Sequence, residues 1–509
     1  MRFLLAWLML SVSAAAEAAP VVTSSGPDSV SVTVYRDPNR GVGGIDADLP
    51  SGFALVSETR RISVPAGDAT IRFEGVADGM IAVSAVVTGL PGGVSQKNRD
   101  ARLLSPAALL DGTLGNRVHL RRTDRATGKV SEQDAVIRSG PDGAVVLQTA
   151  EGFEALRCSG LPEALAYDSI PSGLSARPTL SVETHSPSAI TAEVTLTYLA
   201  TGFDWGASYV AKIAPDGSTL DLFAWLTVAN GNDTGFAGSN LLAVAGRLNR
   251  ESDYDELVER APSPSLALQC WPLATTSTDS PPPPPPPPAP MMAGAMDIVV
   301  TAQRRTESLM APAPVMAKQE ELGDLKLYRV PVRVDVAANA QKQVALLHKA
   351  GVPFQIYYSA RLWPQMDQSL PLTRMIRAKN VTGQGLGLPL PSGGVALFEQ
   401  HGGETLLLAE SRLRDLAIGE TVEIEAGESP QVRIAQTIKA NGPHRRSIRA
   451  ELTNALLRSV QVEVKLGDIA NGSPISPNAK LTRKDGAWLW STNVPANGTA
   501  VLTYSFREE

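Results

Sequence analysis

Tyr209-Val210-Ala211-Lys212-Ile213-Ala214-Pro215-Asp216-Gly217-Ser218-Thr219-Leu220-Asp221-Leu222-Phe223-Ala224-Trp225-Leu226-Thr227-Val228 is the stretch that decides the fold. Two runs rich in aliphatic and aromatic residues flank Pro215-Asp216-Gly217. Proline presets one turn angle and glycine accepts positive φ, so the stretch reads as a β-hairpin. Trp205, Tyr209 and Trp225 are expected to fill the core beneath it rather than to form a face for a sugar.

Working outward, the same signal recurs along most of the 509 residues, and 43 glycines and 38 prolines supply the turns. Val30-Ser31-Val32-Thr33-Val34-Tyr35 alternates strictly, as a half-buried strand does. Arg61–Val64 and Thr70–Val76, joined by Pro65-Ala66-Gly67-Asp68, are expected to form a hairpin. Ser105 before Pro106-Ala107-Ala108-Leu109-Leu110 has the form of a cap and first helical position, giving one short helical turn. Val118–Arg122, Val130–Arg138 and Ala144–Thr149 follow at the pitch of a small SH3-like barrel. Trp488 and Trp490 share one face of a later strand, and Asn454 before a return strand fits an immunoglobulin-like module. The chain is therefore expected to be all-β and multi-domain. Several β-sandwiches cover 19–103, 171–271 with 325–400, and, immunoglobulin-like, 401–509; the small barrel covers 104–170 and a disordered Pro-rich insertion 272–324.

Within that insertion Pro281 to Pro288 is unbroken proline. Without backbone donors it favours a polyproline II rod of about 3.1 Å per residue. The word Asp297-Ile298-Val299-Val300-Thr301-Ala302-Gln303-Arg304-Arg305 follows. Its β-branched residues favour extended backbone able to add to another protein's open sheet edge, and its arginines keep it soluble. This word resembles the energy-coupling box of TonB-dependent outer-membrane transporters. The resemblance implies TonB as a strand-addition partner for Asp297, Ile298, Val299, Val300, Thr301 and Ala302. Unlike those transporters, the chain carries the box mid-sequence, with no plug or barrel after it.

Met1-Arg2, the apolar Phe3–Leu10 and a small-residue tract ending at Ala16 or Ala18 read as a secretory signal peptide. No other run is long and apolar enough for a transmembrane segment. The expected address is the periplasm of a Gram-negative bacterium. Cys158 and Cys270 enter that oxidising compartment either as a disulfide, worth about 4–5 kcal/mol for so long a loop, or as two separate buried thiols. The net charge of −6 and the scattered basic residues argue against nucleic acid. The run Arg117, Arg121, Arg122, Arg125, Lys129 reads as a solvated hairpin face, and Glu251, Asp253, Asp255, Glu256 as a solvated acidic segment.

No HExxH, GxSxG, Walker loop, EF-hand loop or paired CxxC occurs, and no cofactor is implied. His119, His185, His348, His401 and His444 lack metal-ligand spacing. Trp205-Gly206-Ala207-Ser208-Tyr209, followed by Val228-Ala229-Asn230-Gly231-Asn232-Asp233-Thr234-Gly235, is similar to the bacterial mucoidy inhibitor-like family, whose main domain is the domain of unknown function 4139. Val64-Pro65-Ala66-Gly67, a hairpin of Leu327–Val332 with Val344–Leu347, and the turn Leu390-Pro391-Ser392-Gly393-Gly394-Val395 extend the resemblance. The long coiled-coil helices of many members are missing here. Together these features imply a non-enzymatic envelope protein that presents binding surfaces; the rival expectation is a hydrolase of envelope glycans.

Overall fold

The computed structural model describes residues 19–37, 39–40, 43–100, 102–123, 127–139, 145–155, 163–171, 174–246, 316–323, 325–363, 366–440, 445–467, 474 and 476–507. Of these, 65% lie in strands and 3% in helix, so the fold is all-β with several multi-strand sheets. Among the described residues no helix is long and apolar enough to cross a membrane.

The architecture is organised by one 24-residue strand, Ile190–Ile213. Its first half pairs antiparallel with Gly52–Val64, which in turn pairs with Ser29–Tyr35. Val30, Val32, Val34, Val56, Val194 and Leu196 alternate onto one buried face. A four-stranded sheet of Val21–Ser24, Gly67–Glu74, Thr179–Ser186 and Gln96–Asp100 contributes Ile71, Phe73, Leu180 and Val182 to the same core. Segments 61–64 and 70–76 therefore do not form the expected hairpin: they lie in different sheets. Alternation marks which face of a strand is buried and not which neighbour it takes, and after Pro65 the chain crosses to the facing sheet.

A buried charge cluster spans this sandwich. Glu58 and Arg60 are both 0% exposed. Arg60 Nε donates to Glu58 Oε2 at 3.0 Å, while its two Nη atoms donate to Ser24 O at 2.8 Å and Glu74 O at 2.9 Å on the facing sheet. Tyr198 Oη donates to the other Glu58 oxygen at 2.9 Å. Burial pushes the Glu58 carboxyl up and the Arg60 charge opposes it.

At Gly202, φ +79°, the register of the long strand shifts, and the strand bends. Beyond the bend it pairs with Thr219–Asn230 on one edge, as the Pro-Asp-Gly turn requires, and in parallel with Gly393–His401 on the other. The parallel contact is close: a Cβ on Gly393 would sit 2.0 Å from Ala207 O. The N-terminal strands thus share a sheet with the central hairpin, and the expected separate sandwich at 19–103 does not exist as a closed unit.

The same sheet runs outward through Phe236–Ala245 to Leu325–Arg329 and Lys318–Leu322, and at its other end to Ala340–Pro353. Its two ends meet where Ala317 N–H donates to Ala345 O at 2.9 Å, which covers part of an otherwise open edge. Leu325–Arg329 and Ala340–Pro353 pair with different neighbours, so the expected hairpin of Leu327–Val332 with Val344–Leu347 is not formed.

The described residues between 117 and 166 form a five-stranded antiparallel sheet around Val118, Leu120, Ile137 and Leu147. It is a half-barrel: among the described residues its edge strands Gly152–Ala155 and Glu163–Ala166 do not pair with each other. Helix Pro106–Gly112 adds Leu110 to that core, and Ala108 N–H donates to Ser105 Oγ at 3.0 Å as a cap. The last sheet has eight strands, and Gln355–Leu362 and Gln368–Lys379 belong to it rather than to the central part. Asn454 ends one of its strands, with Nδ2 donating to Arg458 O at 2.9 Å and Pro495 O at 2.8 Å.

Candidate functional site

Asp297, Ile298, Val299, Val300, Thr301 and Ala302 lie outside the described residues, as do Cys158, Cys270, His444 and the acidic group at 251–256. What the structure does define is the frame that holds the inserted chain. Ala245 pairs with Lys326, and Leu242 with Arg329, so the last described strand before the insertion and the second described strand after it lie side by side.

Beneath them sits the Trp205–Tyr209 motif. Trp205 is 0% exposed, and its Nε1–H donates to Val244 O at 2.9 Å. The Trp205 ring lies 5.9 Å from that of Tyr328, tying the strands on both sides of the insertion to one buried indole. Arg36 stacks over the same indole at 5.0 Å and donates to Ser392 Oγ at 2.8 Å and to both Asp415 oxygens at 3.0 Å. Arg40 pairs with Asp204 and donates to Trp205 O at 2.7 Å. Burial pushes the Asp204 carboxyl up against the pull of Arg40, and pushes the Tyr209 hydroxyl well up; that hydroxyl donates to Pro391 O at 2.6 Å. These groups are a lock for strand ends.

A second lock is the turn at 230–235. Asn230 is 0% exposed and uses its full capacity: Nδ2 donates to Thr234 O at 2.9 Å and Ala337 O at 3.0 Å. Its Oδ1 accepts from Asn232 N at 3.0 Å and Asn232 Nδ2 at 3.1 Å. Ala337 and Asn339, which donates to Asp233 Oδ1 at 2.7 Å, both follow the insertion.

No protein-family model matches the chain. No curated protein matches it in sequence.

Trp225 is not in the core. It is 37% exposed, because Leu222, Ala224 and Leu226 take the buried face of its strand and period two sends Trp225 outward. There it meets Phe223 edge-to-face at 4.8 Å, with His348 6.1 Å from Phe223. Trp490 is buried, while Trp488 packs half-buried beneath Arg483.

Glu423 and Glu463 are a close carboxylate pair. Arg377 donates to Glu423 Oε1 at 2.9 Å and to the two Glu463 oxygens at 2.7 and 2.8 Å, and Lys484 reaches Glu423 at 3.2 Å. The Arg377 hydrogen bonds hold the Glu463 carboxyl below the usual range. Burial pushes Glu423 up, but Arg377 and Lys484 together outweigh it and leave it lowered. Two ionised carboxylates clamped by one guanidinium lack the split acid and base of glycoside hydrolysis.

The four described histidines are dispersed: His119 and His185 lie in two different sheets, and His348 and His401 on non-neighbouring strands of the largest one. His119 Nε2 lies 2.8 Å from Asp168 and its Nδ1 2.9 Å from Asp134; these partners raise its pKa, led by the Asp168 hydrogen bond. His185 Nδ1 pairs with Asp68 at 2.7 Å, and His401 sits at a hairpin tip. Among the described residues, no group of three or more His, Cys, Asp or Glu is placed to hold a metal ion. The basic run is balanced across strands, Arg121 by Glu132 at 2.7 Å and Arg122 by Glu154 at 2.6 Å.

Proposed function

We propose that this chain is a non-enzymatic, exported protein of the Gram-negative envelope, akin to the mucoidy inhibitor-like family, that works as a binding module. Its docking element is the inserted segment, with Asp297–Ala302 adding as a strand to the periplasmic domain of TonB. The observation that supports the reading is the pairing of Leu242–Ala245 with Lys326–Arg329, which sets described strands from before and after the Pro-rich segment side by side in one sheet. A fixed base spares the partner the task of ordering the rest of the chain. Strand addition by about six residues gives modest affinity once the ordering of the segment is counted. Glycan hydrolysis finds no support in the Glu423–Glu463 pair, whose charges Arg377 and Lys484 already satisfy.

The direct test is a titration of labelled peptide Met296–Glu307 against the isolated C-terminal periplasmic domain of TonB. A second peptide carrying Val299→Pro and Val300→Pro removes two ladder donors. Saturable binding that the proline peptide loses is the expected result. No binding at about 1 mM, a free energy of only about −4 kcal/mol, sinks the docking assignment.

A further inference from the structure

A cavity of about 310 Å³ opens on the outer face of the C-terminal sheet. Its floor is set by register across three neighbouring strands. Thr437 pairs with Arg449 and Arg449 with Thr503; one step along, Lys439 pairs with Ser447 and Ser447 with Ser505. Period two turns all six side chains to one face while Ile448 and Tyr504 are buried on the other. The wall is Ser476, held in a left-handed conformation at φ 51°. Next to it Asn478 clamps the segment to the sheet edge: its N–H donates to Thr503 O at 3.1 Å, and its Oδ1 accepts from Thr503 N at 2.7 Å.

The lining is cationic and rich in hydroxyls. Lys439 and Arg449 line the cavity and no carboxylate does. Glu451 engages one Arg449 nitrogen at 3.0 Å, but Lys439 makes no ion pair among the described residues. Arg445, exposed two positions before Ser447 on the same strand face, adds a further positive charge. The hydroxyls of Thr437, Ser447, Thr503 and Ser505 each donate and accept, with Ser447 and Ser505 already 3.2 Å apart. Tyr504 is the one aromatic residue of the lining and its side chain is buried, so recognition would run through hydrogen bonds and charge rather than stacking.

We propose that this cavity binds one anionic sugar ring, with its oxyanion at Lys439 and its hydroxyls along the Ser/Thr rows. The volume is at the lower end of small-ligand sites, about 300–1,000 Å³, and suits a single ring. A bare inorganic anion would use the cations and leave the hydroxyl rows unmatched; a neutral sugar would leave Lys439 unanswered. The site shares no residue with the inserted segment, and the two proposals stand or fall separately.

Calorimetric titration of the full chain with glucuronate, glucose 6-phosphate, glucose and inorganic phosphate tests the assignment. Saturable binding of at least one charged sugar is expected, with glucose and phosphate weaker by about tenfold or more. Which charged sugar binds reports whether a carboxylate or a phosphate is preferred. Lys439→Gln should weaken binding by about tenfold without moving the urea midpoint, because Lys439 is exposed. Lys465→Gln, on a strand that does not line the cavity, should change nothing. The proposal is overturned by no saturation below about 10 mM, by equal binding of glucose or phosphate, or by affinity that Lys439→Gln leaves intact.

Discussion

Replacing Asn230 by alanine should unfasten the frame at the turn that joins the chain before the insertion to the chain after it. Four hydrogen bonds of 2.9–3.1 Å end on this one fully buried side chain. Alanine leaves the Asn232 N–H and the Thr234 and Ala337 carbonyls without that partner. A buried group stripped of its partner costs about 1–3 kcal/mol, and some will recover by relaxation, so the sum is about 3–5 kcal/mol. Asn230→Asp separates donor from acceptor: it keeps an acceptor for Asn232 but turns an anionic oxygen toward two carbonyls. At neutral pH it should cost at least as much as alanine. Urea unfolding followed by tryptophan fluorescence suits the measurement, since Trp205 is buried in the same sheet. An Asn230→Ala protein within about 0.5 kcal/mol of the parent would show that the turn is not a lock.

Three further outcomes follow from the same structure. Arg60→Met strands the buried Glu58 and should cost about 3–5 kcal/mol, whereas Glu58→Leu with Arg60→Met should recover much of that loss; urea curves that rank the double variant below the single one contradict this. Trp205→Ala should cost about 3–5 kcal/mol and Trp225→Ala only about 1 kcal/mol, in keeping with full burial of the first and an edge-to-face contact for the second; equal midpoint shifts would return Trp225 to the core. The depressed Glu463 carboxyl makes a contribution that is complete above the ordinary glutamate value of about 4.3 and drains away as pH falls through the lower folded value. Arg377→Met should flatten that acid limb of the stability profile, and an unchanged limb rules out the pair as its source.

The all-β class was legible because period two survives whatever partner a strand takes. Val30, Val32 and Val34 alternate onto a buried face, and Pro215-Asp216-Gly217 closes the hairpin it specifies. Ser105 and Pro106 likewise acted locally, on the helix that follows them. Partner choice was not legible, since alternation says which face is buried and not which neighbour lies alongside. Hence Gly67–Glu74 crosses to another sheet, and Gln355–Leu362 pairs in parallel with Val460–Leu466, about a hundred residues away. Trp225 could have been placed from sequence: Leu222, Ala224 and Leu226 already claim the inner face, and aromatic bulk outweighed parity in the expectation. The Glu58–Arg60 cluster carried a signal as well, two opposite charges at i and i+2 on the apolar face of a strand. The cavity beside Lys439 carried none, because its three strands come together only through register.

The docking proposed for the inserted segment rests on the sheet that pairs the strands on either side of it. Its most direct measurement is a titration of the intact chain against the periplasmic domain of TonB, beside a chain carrying Val299→Pro and Val300→Pro. Saturable binding by the parent, loss of binding in the double variant, and identical urea midpoints for both are expected. Equal binding by the two chains, or none by either, contradicts it.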